Sequence, residues 1–315
     1  MNLPTLRQLE YLVAVADCLN FRRAAESCSV SQPGLSAQIR ELEEQLGVRL
    51  FERDRRGVVA TRAGVSLAVR AREILVATRE LVQAAEVFEA PMQGDLRLGV
   101  IPTIAPYLLP KALALIRREY PRLRILLREE QTATLVEMVA DARLDAALVA
   151  EETDLGNLET LELFEDPFLL CVPVGHPLAL RTSVTQRDLK DLSVLLLEDG
   201  HCLRDQALSV CAGGGALEIG DFRASSLGTL VEMVATDIGV TLLPAMAARG
   251  LPPGVVGIPF AAPAPKRTVA LAWRRTSARK ETLRLLGDKF RCARPAAIVS
   301  PIAPSGGIAD GQDPS

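Results

Sequence analysis

The sequence predicts an α/β protein in two parts: a small helical module with a β-hairpin and one long helix, then a larger two-lobed α/β domain. Three observations predict it. Apolar residues recur at helical spacing from Leu6 to Phe88. A break follows at Ala90-Pro91-Met92-Gln93-Gly94. From Asp95, short β-prone runs alternate with helical ones for roughly 200 residues, which predicts mostly parallel sheets with helices on both faces. A chain of 315 residues has room for two or more compact units, and 49% hydrophobic with 24% charged residues excludes a largely disordered chain or a disulfide scaffold.

The first helix carries Leu6, Leu9, Leu12, Val13 and Ala16 on its repeat. Asn20 has the chemistry of an N-cap for a short helix over Phe21–Cys28. Ser31 caps a third helix, with Pro33 in the first turn, where a missing N–H does no harm. That helix is expected to bury Leu35, Ile39, Leu42 and Leu46, leaving Pro33, Ser36, Ala37 and Arg40 outward and Gln32 at its exposed start. Two short helices joined by a tight turn form a helix-turn-helix pattern. Val48–Phe51 and Val58–Ala60, around the basic turn that includes Arg53, Arg55 and Arg56, read as a wing whose arginines suit a phosphate backbone or a narrow minor groove. The DNA contacts expected are Gln32, Pro33, Ser36, Arg40, Arg53 and Arg55.

A long helix, about 63–89, then spaces Leu67, Ala71, Ile74, Thr78, Leu81, Ala85 and Phe88 in steps of four and three, a heptad seam suited to pairing two copies. Beyond the break, strands are expected at Leu96–Val100, Arg124–Arg128, Ala146–Val149, Phe168–Val172, Val194–Leu197, Gly239–Leu243 and Arg267–Trp273. Helices are expected at Ile104–Glu119, Thr132–Ala142 and Ala278–Arg291, the last returning to the first lobe. The domains are therefore 1–60, a winged helix-turn-helix; 61–90, a linker and dimerisation helix; 91–293, the two-lobed domain; and 294–315, a loose tail rich in Pro, Gly, Ser and Asp.

Net charge is −3, so DNA binding would rest on local patches, and 4% aromatic residues disfavour stacking on single strands. No apolar run approaches the ~20 residues that span a bilayer. The start shows no signal core, so a cytosolic chain without membrane contact is expected. The six cysteines form no CxxC pair and there are two histidines, so neither a metal site nor a cofactor is expected. His176 reads as a turn residue.

The series Phe21-Arg22-Arg23-Ala24-Ala25, Val30-Ser31-Gln32-Pro33-Gly34-Leu35-Ser36, Ile39-Arg40-Glu41-Leu42-Glu43, Leu46-Gly47-Val48-Arg49-Leu50-Phe51-Glu52-Arg53 and Thr61-Arg62-Ala63-Gly64 closely resembles the LysR-type transcriptional regulators, nearly to the tail. Arg62 departs from the proline many members carry. The segment Leu195–Leu208, with Cys211 beyond it, resembles the sensing segment of the family's hydrogen-peroxide sensors, and Gly99–Thr103, Pro106–Pro110 and Arg267–Arg274 resemble matching stretches. The resemblance implies a periplasmic-binding-protein-like regulatory domain and a non-enzymatic regulator in the bacterial cytoplasm. It implies a tetramer on double-stranded promoter DNA that activates or represses, contacts RNA polymerase and responds to hydrogen peroxide. It further implies a peroxidatic Cys202, a resolving Cys211 and a pocket of Thr103, His201, Asp205 and Arg274.

The residues themselves carry part of this. Cys202 is expected to open a helix running towards Cys211, and a sulfur beside the free N–H groups of a helix start is favoured as thiolate. Arg204, near in sequence, and Arg274, brought close as the resemblance implies, are expected to add to that effect. Attack on peroxide gives a sulfenic acid that condenses with a second thiol. Nine residues of helix rise ~13.5 Å, against the 4.4–6.8 Å between Cα atoms that a disulfide requires. Oxidation would have to unwind the helix, with Gly213-Gly214-Gly215 as slack. Cys18, Cys28 and Cys171 read as packing, and Cys292 has no supporting motif. The nearest rival is a regulator that binds a small metabolite between the lobes; a thiol peroxidase leaves the helix-turn-helix and long linker unexplained, and a two-lobed exported solute-binding protein fails on the missing signal core and the DNA module.

Overall fold

The structure, a computed structural model, describes residues 3–54, 57–89 and 91–296. It falls into two compact units, Met1–Glu86 and Val87–Ser315.

In the first unit, α1 (Leu6–Cys18) starts at a capping box in which Thr5 and Gln8 satisfy each other's backbone N–H groups. It buries Leu9, Leu12 and Val15, whereas Leu6 of the predicted stripe is exposed. The Asn20 side chain caps α2 (Phe21–Ser27), accepting from the Arg22 and Arg23 amides at 2.9 and 3.1 Å. Ser31 caps α3 (Gln32–Leu46), accepting from the Gly34 amide at 3.3 Å. Leu35, Ile39 and Leu42 are buried as expected; Leu46 is not, because the helix ends there and Gly47 turns the chain away in the left-handed region.

The hairpin pairs β1 (Phe51–Asp54) with β2 (Gly57–Ala60) in antiparallel register. It begins at Phe51 rather than Val48 because Glu43 Oε1 takes the amides of Leu50 and Phe51, at 2.7 and 3.2 Å, and ties that stretch to α3. Of the expected wing arginines, Arg53 lies on β1, whereas Arg55 falls outside the described residues.

Thr61 opens α4 (Arg62–Glu89): its hydroxyl donates to the Arg49 carbonyl at 2.7 Å and accepts from the Gly64 amide at 2.9 Å. A Cβ at Gly64 would stand 2.0 Å from the Leu50 carbonyl oxygen, so the first turn of α4 sits against the chain before the hairpin only because Gly64 has no side chain. Ala68, Ala71 and Leu75 join the unit's core. The predicted heptad seam divides: Ala71 turns inward, while Ile74 and Leu81 stay exposed.

The second unit contains two hydrophobic cores. The first gathers around β3 (Gly94–Val100), α5 (Ala105–Glu119), β4 (Leu123–Glu129), α6 (Thr132–Ala140) and β5 (Ala146–Ala150). A 16-residue strand, β6 (Leu158–Pro173), leaves this lobe and enters the other. The second lobe adds β7 (Ser193–Leu197), α7 (Cys202–Gly214), β8 (Leu217–Ala224), α8 (Leu227–Ala235), β9 (Thr241–Pro244) and β10 (Val255–Pro259). The chain returns through β11 (Lys266–Arg274) and α9 (Lys280–Ala293), whose Leu283, Leu286 and Phe290 fill the first core, as predicted.

The main sheet runs β10-β6-β11-β5-β3-β4, with β9 also on β6. It is mixed, which corrects the expectation of mostly parallel pairing. β4 and β5 flank β3 in parallel, but β11, β9 and β10 all pair antiparallel. The reason is the return path: β6 and β11 carry the chain between lobes in opposite directions. β8 and the first half of β6 escaped the sequence reading because polar residues interrupt their apolar ones, and β10, Val-Val-Gly-Ile-Pro, because Gly257 and Pro259 break a short apolar run that lies between turn signals.

Candidate functional site

Cys202 and Cys211 lie on one unbroken helix. Cys202 is the first residue of α7, after His201 in the N-cap position, and both thiols are free. The ~13.5 Å of rise between them keeps them far outside disulfide range. The glycine run is not slack in this state. Gly213 and Gly214 form the last turn and Gly215 caps it at φ 76°. A Cβ on Gly214 would stand 2.2 Å from the Gln186 carbonyl, so the helix end seats directly on the 3-10 turn Gln186–Leu189.

The helix straddles the two cores. Cys202 belongs to the apolar cluster of the first lobe, whereas Leu203, Ala207, Val210 and Cys211 belong to that of the second. Both cysteines are buried. Burial, helped by the nearby Glu218 carboxylate, pushes the Cys211 thiol up to about 11. Arg204 does not serve Cys202 as expected. Its guanidinium pairs with Asp199 and Glu218, each at 2.9 Å, and Arg223 also reaches Asp199.

The arginine beside Thr103 is Arg267, not Arg274. Arg267 is fully buried and donates to the Thr103 hydroxyl at 2.9 Å and to its carbonyl at 3.0 Å. Asp166, on β6 where the chain leaves the first lobe, accepts from Arg267 Nε at 3.1 Å and from the Met246 amide at 3.0 Å. Arg274 instead donates to the carbonyls of Val139 and Leu144, at 2.6 and 2.9 Å, which fixes the end of α6 and the turn after it. The two arginines are seven residues apart on β11, and an odd spacing puts them on opposite faces of the strand.

His201 is buried, with Nε2 3.7 Å from Glu198 Oε1. Asp205 is exposed and shares with Cys202 a cleft of about 610 Å³, whose walls include Glu152 and Lys266 from the first lobe and Gln206 and Gln186 from the second. Thr103 and His201 are not on that cleft's wall. Sequence reasoning missed Arg267 as a site residue, and it missed Thr132. Thr132 opens α6 and is buried, and its hydroxyl has no hydrogen-bond partner among the described residues; the Gln131 side chain before it lies against Gly200. A buried orphan hydroxyl leaves no trace in sequence periodicity.

The other cysteines behave as packing groups or surface residues. Cys171 is fully buried, which raises its thiol far above the usual range, Cys18 and Cys28 are half-buried, and Cys292 is exposed. His176 caps the 3-10 turn Pro177–Leu180 by accepting from the Leu178 amide. Among the described residues no group of three or more His, Cys, Asp and Glu could hold a metal ion, and no helix is long and apolar enough to cross a membrane.

On the first unit, Pro33 and Arg40 are exposed and Gln32 and Ser36 half-exposed along one face of α3. Gln32 lines a concavity of about 430 Å³ with Asn20, Arg22 and Gly57, between the helix-turn-helix and the wing. Ser36 and Arg40 line a second, of about 580 Å³, with Arg49 and Glu52. The predicted outward face of α3 thus opens onto two grooves flanked by arginines.

Residues 6–65 match the bacterial regulatory helix-turn-helix protein, lysR family, and residues 89–293 match the LysR substrate binding domain. The chain is 43% identical over 288 residues to the hydrogen peroxide-inducible genes activator of Dickeya chrysanthemi, covering 91% of this chain and 94% of that one. It superposes with TM-score 0.70 and 34% identity on full-length OxyR from Pseudomonas aeruginosa carrying a cysteine-to-aspartate substitution, over 95% of this chain and 100% of that one. A cysteine-to-serine mutant of Corynebacterium glutamicum OxyR, bound to H2O2, matches with TM-score 0.63 and 34% identity over 93% of each chain.

Proposed function

Because the chain belongs to the LysR family of bacterial helix-turn-helix regulators, we propose that it controls transcription of peroxide-inducible genes through oxidation of Cys202 and its bridging to Cys211. The observation that carries this reading is α7 itself: two thiols on one helix, each sunk in a different core, so that any bond between them must remodel the segment.

The chemistry balances on these residues. The Cys202 thiolate attacks one oxygen of hydrogen peroxide; the S–O bond forms, the O–O bond breaks, and hydroxide leaves with a proton as water. The Cys211 sulfur then attacks the sulfenic sulfur, the S–OH bond breaks, and the thiol proton departs with that oxygen as a second water. Peroxide is reduced and two thiols become one disulfide. Arg267 with Thr103, His201, Asp205 and the free hydroxyl of Thr132 are the groups suited to polarise the O–O bond. Arg274 is withdrawn from that role by its two carbonyls. On DNA, Gln32, Pro33, Ser36 and Arg40 face the major groove, in a dimer joined along the exposed face of α4.

The test is a footprint of reduced and peroxide-treated protein on one promoter, with disulfide mapping beside it. A Cys202–Cys211 bond together with an altered footprint is the expected result; a Cys202→Ser variant with a full response overturns it. One observation favours a second reading: a cleft of about 610 Å³ is far larger than peroxide needs and would accept a small metabolite. Under that reading, the Cys202→Ser protein keeps its footprint change when the metabolite is added.

A further inference from the structure

We infer that Glu152 is a positioning residue that clamps the cysteine helix to the strand bearing Arg267, and so sets how readily the thiol pair oxidises. The inference rests on the disulfide reading above. Glu152 stands just beyond β5, in the first lobe, and uses both carboxylate oxygens. One accepts from the amide of Thr268, the residue after Arg267; the other accepts from Gln206 Nε2 at 3.3 Å. Gln206 is four residues after Cys202, one turn up the same face of α7, and both line the same cleft.

The two ends of this clamp differ in what oxidation does to them. Thr268 lies within β11, paired on both sides by β5 and β6, and stays in place. Gln206 lies between the two cysteines, in the segment that must unwind for their Cα atoms to come within disulfide range. The contact therefore exists only in the reduced form. Among the described residues the contact with Glu152 is the hydrogen bond that the Gln206 side chain makes, its Oε1 being buried without one. A carboxylate can only accept, so the amide must present its nitrogen to Glu152. Anything that favours the reduced form alone makes the couple harder to oxidise.

Removing either side should ease oxidation. Against a reference dithiol buffer, Glu152→Ala and Gln206→Ala are each expected to shift the thiol–disulfide equilibrium about three- to tenfold towards the disulfide, the range for a partly exposed charged hydrogen bond. That is a potential lower by about 15–30 mV for a two-electron couple. The double variant should show the shift of one single variant, because the two residues share one contact. Glu152→Gln retains an acceptor and should fall between. In the reduced protein, backbone hydrogen exchange over 203–210 should rise by a similar factor in both single variants, while β4 and β10 stay unchanged. Wild-type potentials and exchange rates in the variants, or additive shifts in the double variant, overturn the clamp. A wild-type protein that forms no Cys202–Cys211 bond overturns the sensor reading instead, and the exchange comparison still decides the clamp.

Discussion

Arg267 and Arg274 share a strand and a charge, yet only Arg267 reaches Thr103. Replacing Arg267 with alanine should slow Cys202 oxidation by peroxide on the order of 10²-fold, the loss seen when one transition-state donor is removed. Replacing Arg274 should leave that rate near wild type and cost about 1–3 kcal/mol of stability, since two buried carbonyls lose their donor. Stopped-flow oxidation separates the two, whereas both should lose stability in urea melts, since removing Arg267 leaves Asp166 buried without its partner. Cys211 supplies a pH signature. Its thiol is raised by burial to about 11, so the folded state holds the proton more tightly than the unfolded one. The resulting stability is complete below the unfolded value near 9 and is lost as pH climbs towards 11. A Cys211→Ala variant should flatten that fall in melts taken between those limits. That both cysteines sit on one helix opening at Cys202 was legible, because the turn at Asp199-Gly200 and the helical run after it are written locally. The choice between two arginines was not, because period-two alternation shows that they point to opposite faces and not which face borders the site.

Among the elements, the helices of the first unit were read almost to the residue. Asn20, Ser31 and Thr61 are capping side chains, and caps are written locally in the sequence. The hairpin start was misplaced because Glu43 diverts two amides, a contact between residues seven and eight apart that no β propensity reports. Gly64 gives a sharp test. Gly64→Ala should destabilise the first unit by about 1–3 kcal/mol, because the Cβ collides with the Leu50 carbonyl and the hairpin has to shift. Thermal melts of the full chain check it. For α3, Arg40→Ala should weaken DNA binding about tenfold or more in the reduced and oxidised protein alike, since it removes a contact on the DNA side only; a variant impaired in one redox state alone would contradict that placement. The α4 seam shows the opposite limit of sequence reading. One apolar stripe served two purposes, with Ala71 packing inward and Ile74 and Leu81 left outside, and a heptad pattern cannot divide itself between them.

Across the regulatory unit, the two cores meet along α7 and along β6. Alternation of β and α segments announced the two lobes, but the direction of pairing depended on a return path through β11 that only long-range order fixes. β6 runs 16 residues as one strand, with a register shift that skips Leu163, pairing with β11 in one lobe and with β9 and β10 in the other, and Asp166 holds Arg267 and the Met246 amide at the passage. X-ray scattering from the second unit prepared alone, before and after peroxide, should therefore show little change in radius of gyration, while hydrogen exchange changes sharply over 199–224. Such a strut, tied on both sides, resists a jaw-like swing of the halves. Under the proposed chemistry, news of an oxidised sulfur would leave the molecule as altered relief on one patch rather than as a new outline, and whatever reads it would already be in touch with that patch.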